Sequence, residues 1–420
     1  MLALLNGVRV LDFTTIVLGP YATRTLGDLG ADVIKVEPPG GDLFRSVRPG
    51  RSRDMGAAFM GFNRNKRSIA LDLKRPAARE VLDRLVRGTD VVVHNMRPRS
   101  AAPLGLDYER LAALRPGLVY AFAAGYDQRG PSAGDPAYDD VIQAASGVAA
   151  LNADARGEPR YLPTILCDKV GGLHLALAVV AALARRARTG EGACIEAPMF
   201  ESMVSFLMSE QLGGATFEPP LGPTGYDRLA APNRRPYRTR DGHLAILPYT
   251  TTHWTAFFEL AGRPAQAHAP EVQDPVLRSQ RADALYAQIA ELAPARTNDE
   301  WLRELRARDI PCARVNAIGD LLADPHLVAT GFFREYDHPT EGRLRDARSP
   351  FRLHGGDATL EHDDRPVPRT GADGHAILRE CGYDETGIAA LVAAGAVAGI
   401  SPPPAQAQEQ AQTSPSTEFR

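Results

Sequence analysis

The chain has 420 residues, 44% hydrophobic and 24% charged, the balance of an ordinary globular protein with room for two domains. A formal net charge of −3 provides no global basic field, so neither nucleic acid nor a membrane surface is an expected partner. Cys167, Cys194, Cys312 and Cys381 show no CxxC or Cys/His spacing, which argues against a disulfide scaffold or structural zinc; no metal site is expected.

The opening MLALLNGVRVLDF has no basic start, long apolar run or cleavage site, and with the cysteine usage this predicts a cytoplasmic protein. Val8–Phe13 reads as a first strand and Tyr21–Leu29 as a helix stopped by Gly30. Asp32–Val36 reads as a second buried strand, completing a parallel βαβ unit. Further strands are predicted at Ser68–Leu73, Asp90–Val93, Leu118–Ala123 and Ala193–Ala197, with helices such as Ala77–Arg87 and Tyr108–Leu114 between them. The pattern predicts a Rossmann-like, doubly wound α/β domain over residues 1–220. Val170–Leu183 is shorter than a membrane span and reads as a buried helix.

After a helix near Phe200–Leu212 the chain changes character. A hairpin is predicted at Tyr237–Leu247, turning at Asp241-Gly242, then helices around Thr252–Leu260, Ala282–Leu292 and Asn298–Ala307. Residues 221–324 are expected to form a smaller α/β domain, and residues 325–400 to complete the larger one. The Pro-, Gln- and Ser-rich segment 401–420 is predicted to be disordered.

The turn after the first strand, TTIVLGP, has no GxGxxG, and no GxxxxGK[ST] or HExxH occurs. A Rossmann-like sheet still offers a ligand crevice at the carboxyl ends of its strands. Loops there carry Arg45, Arg97, Arg99 and Arg129, whose guanidinium groups suit a phosphorylated ligand, although spacing alone favours a solvated surface. Asp168 precedes the helix KVGGLHLALAVV. It reads as an N-cap, or as a nucleophile kept ionised by free helix amides. Gly171 and Gly172 would admit a bulky substrate to the first turn. Cys167 has no accompanying base and reads as a buried thiol, His174 as a packed core residue and His94 as a candidate acid–base group.

GVRVLDFTTIVLGPYATRTLGDLGADVIKVEPPGGDLFR, NRNKRSIALDLK, YDDVIQAASG and ALARRARTGEGACIEAPMFES, in this order, resemble the class III CoA-transferase family, whose members include formyl-CoA transferase and 2-methylacyl-CoA racemase. The resemblance runs from about Gly7 to Leu353. It implies a large Rossmann-like domain, a small domain and a homodimer of interlocked rings. It also implies CoA transfer from an acyl-CoA donor to a carboxylic-acid acceptor, with acyl-CoA as substrate and no permanently bound cofactor. Asp168 falls where the family has its catalytic Asp, which passes through mixed anhydrides and an aspartyl-CoA thioester.

CoA contacts implied by position are Thr15, Val17 and Leu18 in the first loop, Leu71 to Lys74 in the second, and Asn95, Met96 and Arg97 in the third. Tyr138 and Asp139 match the segment nearest the thiol. Pro38, Pro103 and Pro136 stand where formyl-CoA transferase has basic CoA contacts, leaving Arg45, Arg97 or Arg99 to compensate. The glycine-rich loop of formyl-CoA transferase is missing, which makes formate and oxalate poor substrate guesses. Tyr138 replaces the racemases' His, and a phenol with pKa near 10 is a poor base, so racemisation is the weaker alternative. Non-catalytic acyl-CoA binding is the other alternative, and the retained Asp168 speaks against it.

Overall fold

A computed structural model describes residues 2–354 and 364–400; the predicted disorder of 401–420 lies outside them. Two compact units are present, one of Met1–Phe206 with Arg334–Arg420, the other of Leu207–Phe333.

The larger unit is built on a seven-stranded sheet. Its parallel strands are β1 (Arg9–Asp12), β2 (Asp32–Glu37), β3 (Lys66–Leu71), β4 (Val91–His94), β5 (Val119–Ala124) and β6 (Ala193–Pro198). In space they run β3-β2-β1-β4-β5-β6, and the short strand Val397–Ala398 pairs antiparallel outside β3. The chain winds outward from β1 on one side, then restarts at β4 on the other. The order therefore reverses between β1 and β4, where a crevice must open at the carboxyl ends. Val10, Leu11, Ile34, Val91, Val92 and Val93 are fully buried, as both faces of such a sheet demand; each contributes about 1.5–3 kcal/mol.

Helices cover those faces by ordinary periodicity. In Pro76–Arg87 the residues Ala78, Val81, Leu82, Leu85 and Val86 form one buried stripe, with proline at the start and Gly88 at the end. The helix Cys167–Thr189 is longer than the apolar stretch suggests. Its 23 residues suffice by length and composition to cross a membrane, yet just over half of its apolar window is buried against the Leu18–Asp28 helix and strands β5 and β6. Packing in a sheet protein accounts for that apolarity.

The helix contact corrects the reading of its two glycines. A Cβ at Gly172 would lie 2.6 Å from the backbone oxygen of Leu18, and one at Gly171 would lie 3.0 Å from Leu18 Cδ1. These glycines let the two helices touch. His174 is likewise not a core residue: its side chain is exposed, with Nδ1 against Val170 O at 2.9 Å.

The smaller unit has a three-stranded antiparallel sheet of Tyr237–Arg238, His243–Ile246 and Cys312–Arg314, the first two forming the expected hairpin. Helices Thr251–Leu260, Ala282–Leu292 and Asn298–Arg306 enclose Trp254, Phe257, Phe258, Ile289 and Trp301. A capping box of Thr297 and Glu300 starts the last of them.

Candidate active site

A cavity of about 190 Å³ opens at the β1/β4 reversal. Thr15, Val17, Leu18, Asn95, Arg97, Tyr138 and Asp168, all singled out in the sequence, line it together. Ile16, Gly125, Gln128, Asp135 and Met199 also line it, none of them singled out as a site residue by the sequence.

The β1 loop is fixed from two sides. Thr15 N–H donates to Asn95 Oδ1 at 2.9 Å, and Asn95 Nδ2 donates back to Thr15 O at 2.8 Å, locking the β1 loop to the β4 loop. Ile16 is held at φ +70°, a region a β-branched residue enters only under constraint. Its N–H donates to Asp42 Oδ1 at 3.2 Å.

Beneath this loop lies a layer of buried charge. Lys35 Nζ donates to Thr14 O at 2.8 Å and to Asp42 Oδ2 at 3.0 Å. Lys66 Nζ donates to Asp12 Oδ2 at 2.9 Å and to Asn63 Oδ1 at 2.8 Å. Burial alone would raise the Asp12 pKa, but Lys66 and Lys35 together with hydrogen bonds from Thr14 and Thr23 hold the group at about 2. All four charged side chains are buried, so each ion depends on its partner.

Arg45 belongs to this layer. It is 2% exposed, and its Nε and Nη2 donate to the two oxygens of Glu37 at 2.7 and 2.6 Å. Its guanidinium is committed to the fold; of the other loop arginines, Arg97 lines the cavity, Arg99 is exposed and Arg129 is paired with Asp127. Leu71 is a core residue of β3 paired with Val397. Lys74 is exposed, Met96 is half-buried against the core, and neither they nor Arg99 line the cavity.

Asp168 does not cap its helix. The helix begins at Cys167, and Asp168 lies within its first turn, 9% exposed. Its own N–H donates to Asp139 Oδ1 at 3.1 Å, while Asp139 Oδ2 accepts from Gln143 Nε2 at 2.7 Å. Gln143 Oε1 in turn accepts from Leu162 N–H at 2.9 Å, fixing the approach to the helix. Burial, and secondarily the charge of Asp139, push the Asp168 carboxyl up to about 7. The expectation of a firmly ionised carboxylate thus gives way to one poised near neutrality, because burial and the Asp139 charge both disfavour the ionised form. An acid so raised is more basic and more nucleophilic once ionised.

The rival groups are inert. Burial pushes the Cys167 thiol up to about 12, with Asp139 and Asp168 adding to it. His94, held down to about 4 by burial, stacks on Phe122 and accepts at Nδ1 from Met96 N–H at 3.2 Å. Its Nε2 is 2.6 Å from Tyr120 Oη, so it is a neutral structural imidazole facing away from acid–base work.

A doubly wound sheet with a carboxylate in the crevice at its strand ends places the protein among α/β folds that bind a ligand where the strand order reverses. Residues 5–374 match CoA-transferase family III, so the chain belongs to that family and is a class III CoA-transferase. It is 31% identical to a formyl-CoA:oxalate CoA-transferase of Rhodopseudomonas palustris, covering 96% of this chain and 99% of that protein. It is 33% identical to a succinyl-CoA:mesaconate CoA-transferase of Haloarcula marismortui, over 88% of this chain and 97% of the relative. A CAIB/BAIF family protein from Brucella suis superposes with a TM-score of 0.74 at 30% identity, covering 91% of this chain and all of the other.

Proposed function

We propose that the protein moves CoA from an acyl-CoA donor to a carboxylic acid through a covalent intermediate on Asp168. What carries the reading is a desolvated carboxylate, poised near neutrality, in a cavity bordered by a locked β1 loop and Arg97. The ionised Asp168 attacks the thioester carbonyl, expelling CoA thiolate and forming a mixed anhydride. The thiolate attacks the aspartyl carbonyl, releasing the donor's acid and leaving an aspartyl-CoA thioester. The acceptor carboxylate reverses both steps, restoring the Asp168 carboxylate and taking the CoA away. Each step exchanges one acyl bond for another and needs no redox partner.

The likeness to the H. marismortui enzyme supports succinyl-CoA as the first donor to assay. A cytoplasmic homodimer belongs to the same proposal. Four free cysteines support the location, and Leu173 and Leu177, 47% and 66% exposed on the Cys167 helix, support a second copy covering that face. Light scattering should return twice the 45.3 kDa chain mass.

The test is to quench turnover with hydroxylamine and locate the modified residue by mass spectrometry. A hydroxamate on Asp168, and loss of transfer in Asp168→Ala, are expected; transfer at the wild-type rate by that variant would sink the mechanism. Changing Arg97 and Arg99 together should raise the Kd for CoA, and unchanged binding would remove both from the CoA contacts.

A further inference from the structure

The smaller unit has a cavity of its own, about 250 Å³, lined by Tyr226, Pro248, Tyr249, Trp254, Pro275 and Tyr286. Two guanidinium groups, Arg228 and Arg278, line it, and no lining residue is acidic. Both are fixed by neutral partners. Arg228 Nε donates to Tyr286 Oη at 2.7 Å, and its guanidinium lies 4.7 Å from the Tyr249 ring centre. Arg278 Nη1 donates to Thr251 Oγ1 at 2.9 Å and to Val272 O at 2.6 Å. Neither arginine is ion-paired among the described residues, whereas Arg240, Arg263 and Arg308 in the same unit hold Glu300, Glu291 and Glu304.

Two guanidinium groups lining one aromatic-walled space with no carboxylate partner among the described residues offer their charge and hydrogen-bonding forks to an anion. The planar fork of arginine matches a carboxylate bidentately, and tyrosine and tryptophan faces favour a flat body over a compact hydrated ion. We infer that this unit binds a small organic carboxylate with a flat, unsaturated or aromatic body. The inference rests on the cavity alone and does not depend on chemistry at Asp168.

Isophthalate is the probe, titrated into the full-length protein by calorimetry, with Trp254 fluorescence as a second readout. Saturable binding is expected, weakened at least tenfold in Arg228→Met and in Arg278→Met, with the fluorescence response abolished by Trp254→Phe. Arg228→Lys, which keeps the charge but loses the fork, should also weaken binding should the methionine variant fail to fold. Asp168→Ala should bind isophthalate as tightly as the wild type. Absence of saturable binding, binding that survives both methionine substitutions, or inorganic phosphate competing as well as isophthalate would overturn the assignment.

Discussion

The sharpest consequence of the site concerns pH. Asp168 sits at about 7 where an exposed aspartate sits at 3.8, a difference worth about 4 kcal/mol against the ionised form. Burial supplies the larger part and Asp139 the smaller. Only the ionised form is a nucleophile, so kcat/KM should rise from pH 6 to pH 7 by roughly fivefold and level off above pH 8. Asp139→Asn removes the charge while its amide oxygen can still accept from Asp168 N–H. The inflection should then move to lower pH without reaching 3.8, because burial is unchanged, and the variant should outperform the wild type in relative rate below pH 6. The assay is initial-rate kinetics with subsaturating acyl-CoA from pH 5 to 9. A flat wild-type profile, or an inflection that stays put in Asp139→Asn, would refute the assignment of the raised pKa to these two causes.

Other expectations follow from the same geometry. Asp168→Asn should stabilise the protein, and the sign fixes where. The folded pKa of Asp168 lies above its unfolded value, so the cost of its charge is absent below pH 3.8 and fully present above pH 7; the gain in urea midpoint should grow across that window. Gly172→Ala must move the Leu18 carbonyl, costing roughly 1–3 kcal/mol, and activity should fall with it since Leu18 lines the cavity. Asp42→Ala leaves Lys35 buried beside an empty partner position and frees Ile16 N–H, so unfolding free energy should drop by roughly 3–5 kcal/mol and KM for acyl-CoA should rise. Unchanged melting in that variant would show the ion pair to be dispensable.

Much of this architecture was legible in the residues. Strands β1 to β6 announce themselves because a parallel sheet covered on both faces needs runs such as VVV and DVIKV, and each lies within two residues of its predicted bounds at either end. The cavity lining was legible where it follows strand ends, as at Thr15 and Asn95. Arg45 was not, because its partner Glu37 and the Pro368 carbonyl meet it only in the folded chain. Lys35 and Lys66 did leave a signal: a lysine inside DVIKVE, and another at the start of KRSIAL, are charges where a buried strand has no room for an unpaired one. The Asp168 pKa had no local signature, since it comes from burial in the folded chain and from Asp139, 29 residues away in sequence.

The segment 364–398 returns to the first strands to finish them. Asn65 Nδ2 reaches Asp364 Oδ1 at 2.8 Å, Ser68 N–H reaches Asp373 Oδ2 at 2.8 Å, and Val397–Ala398 closes the open side of β3. During synthesis, then, strands completed early wait for partners made some three hundred residues later. Until those arrive, β3 presents an unpaired margin to any neighbouring chain. A polypeptide released too early would carry that open margin as a mark of its incompleteness, available to chaperone or protease, while the finished protein hides it.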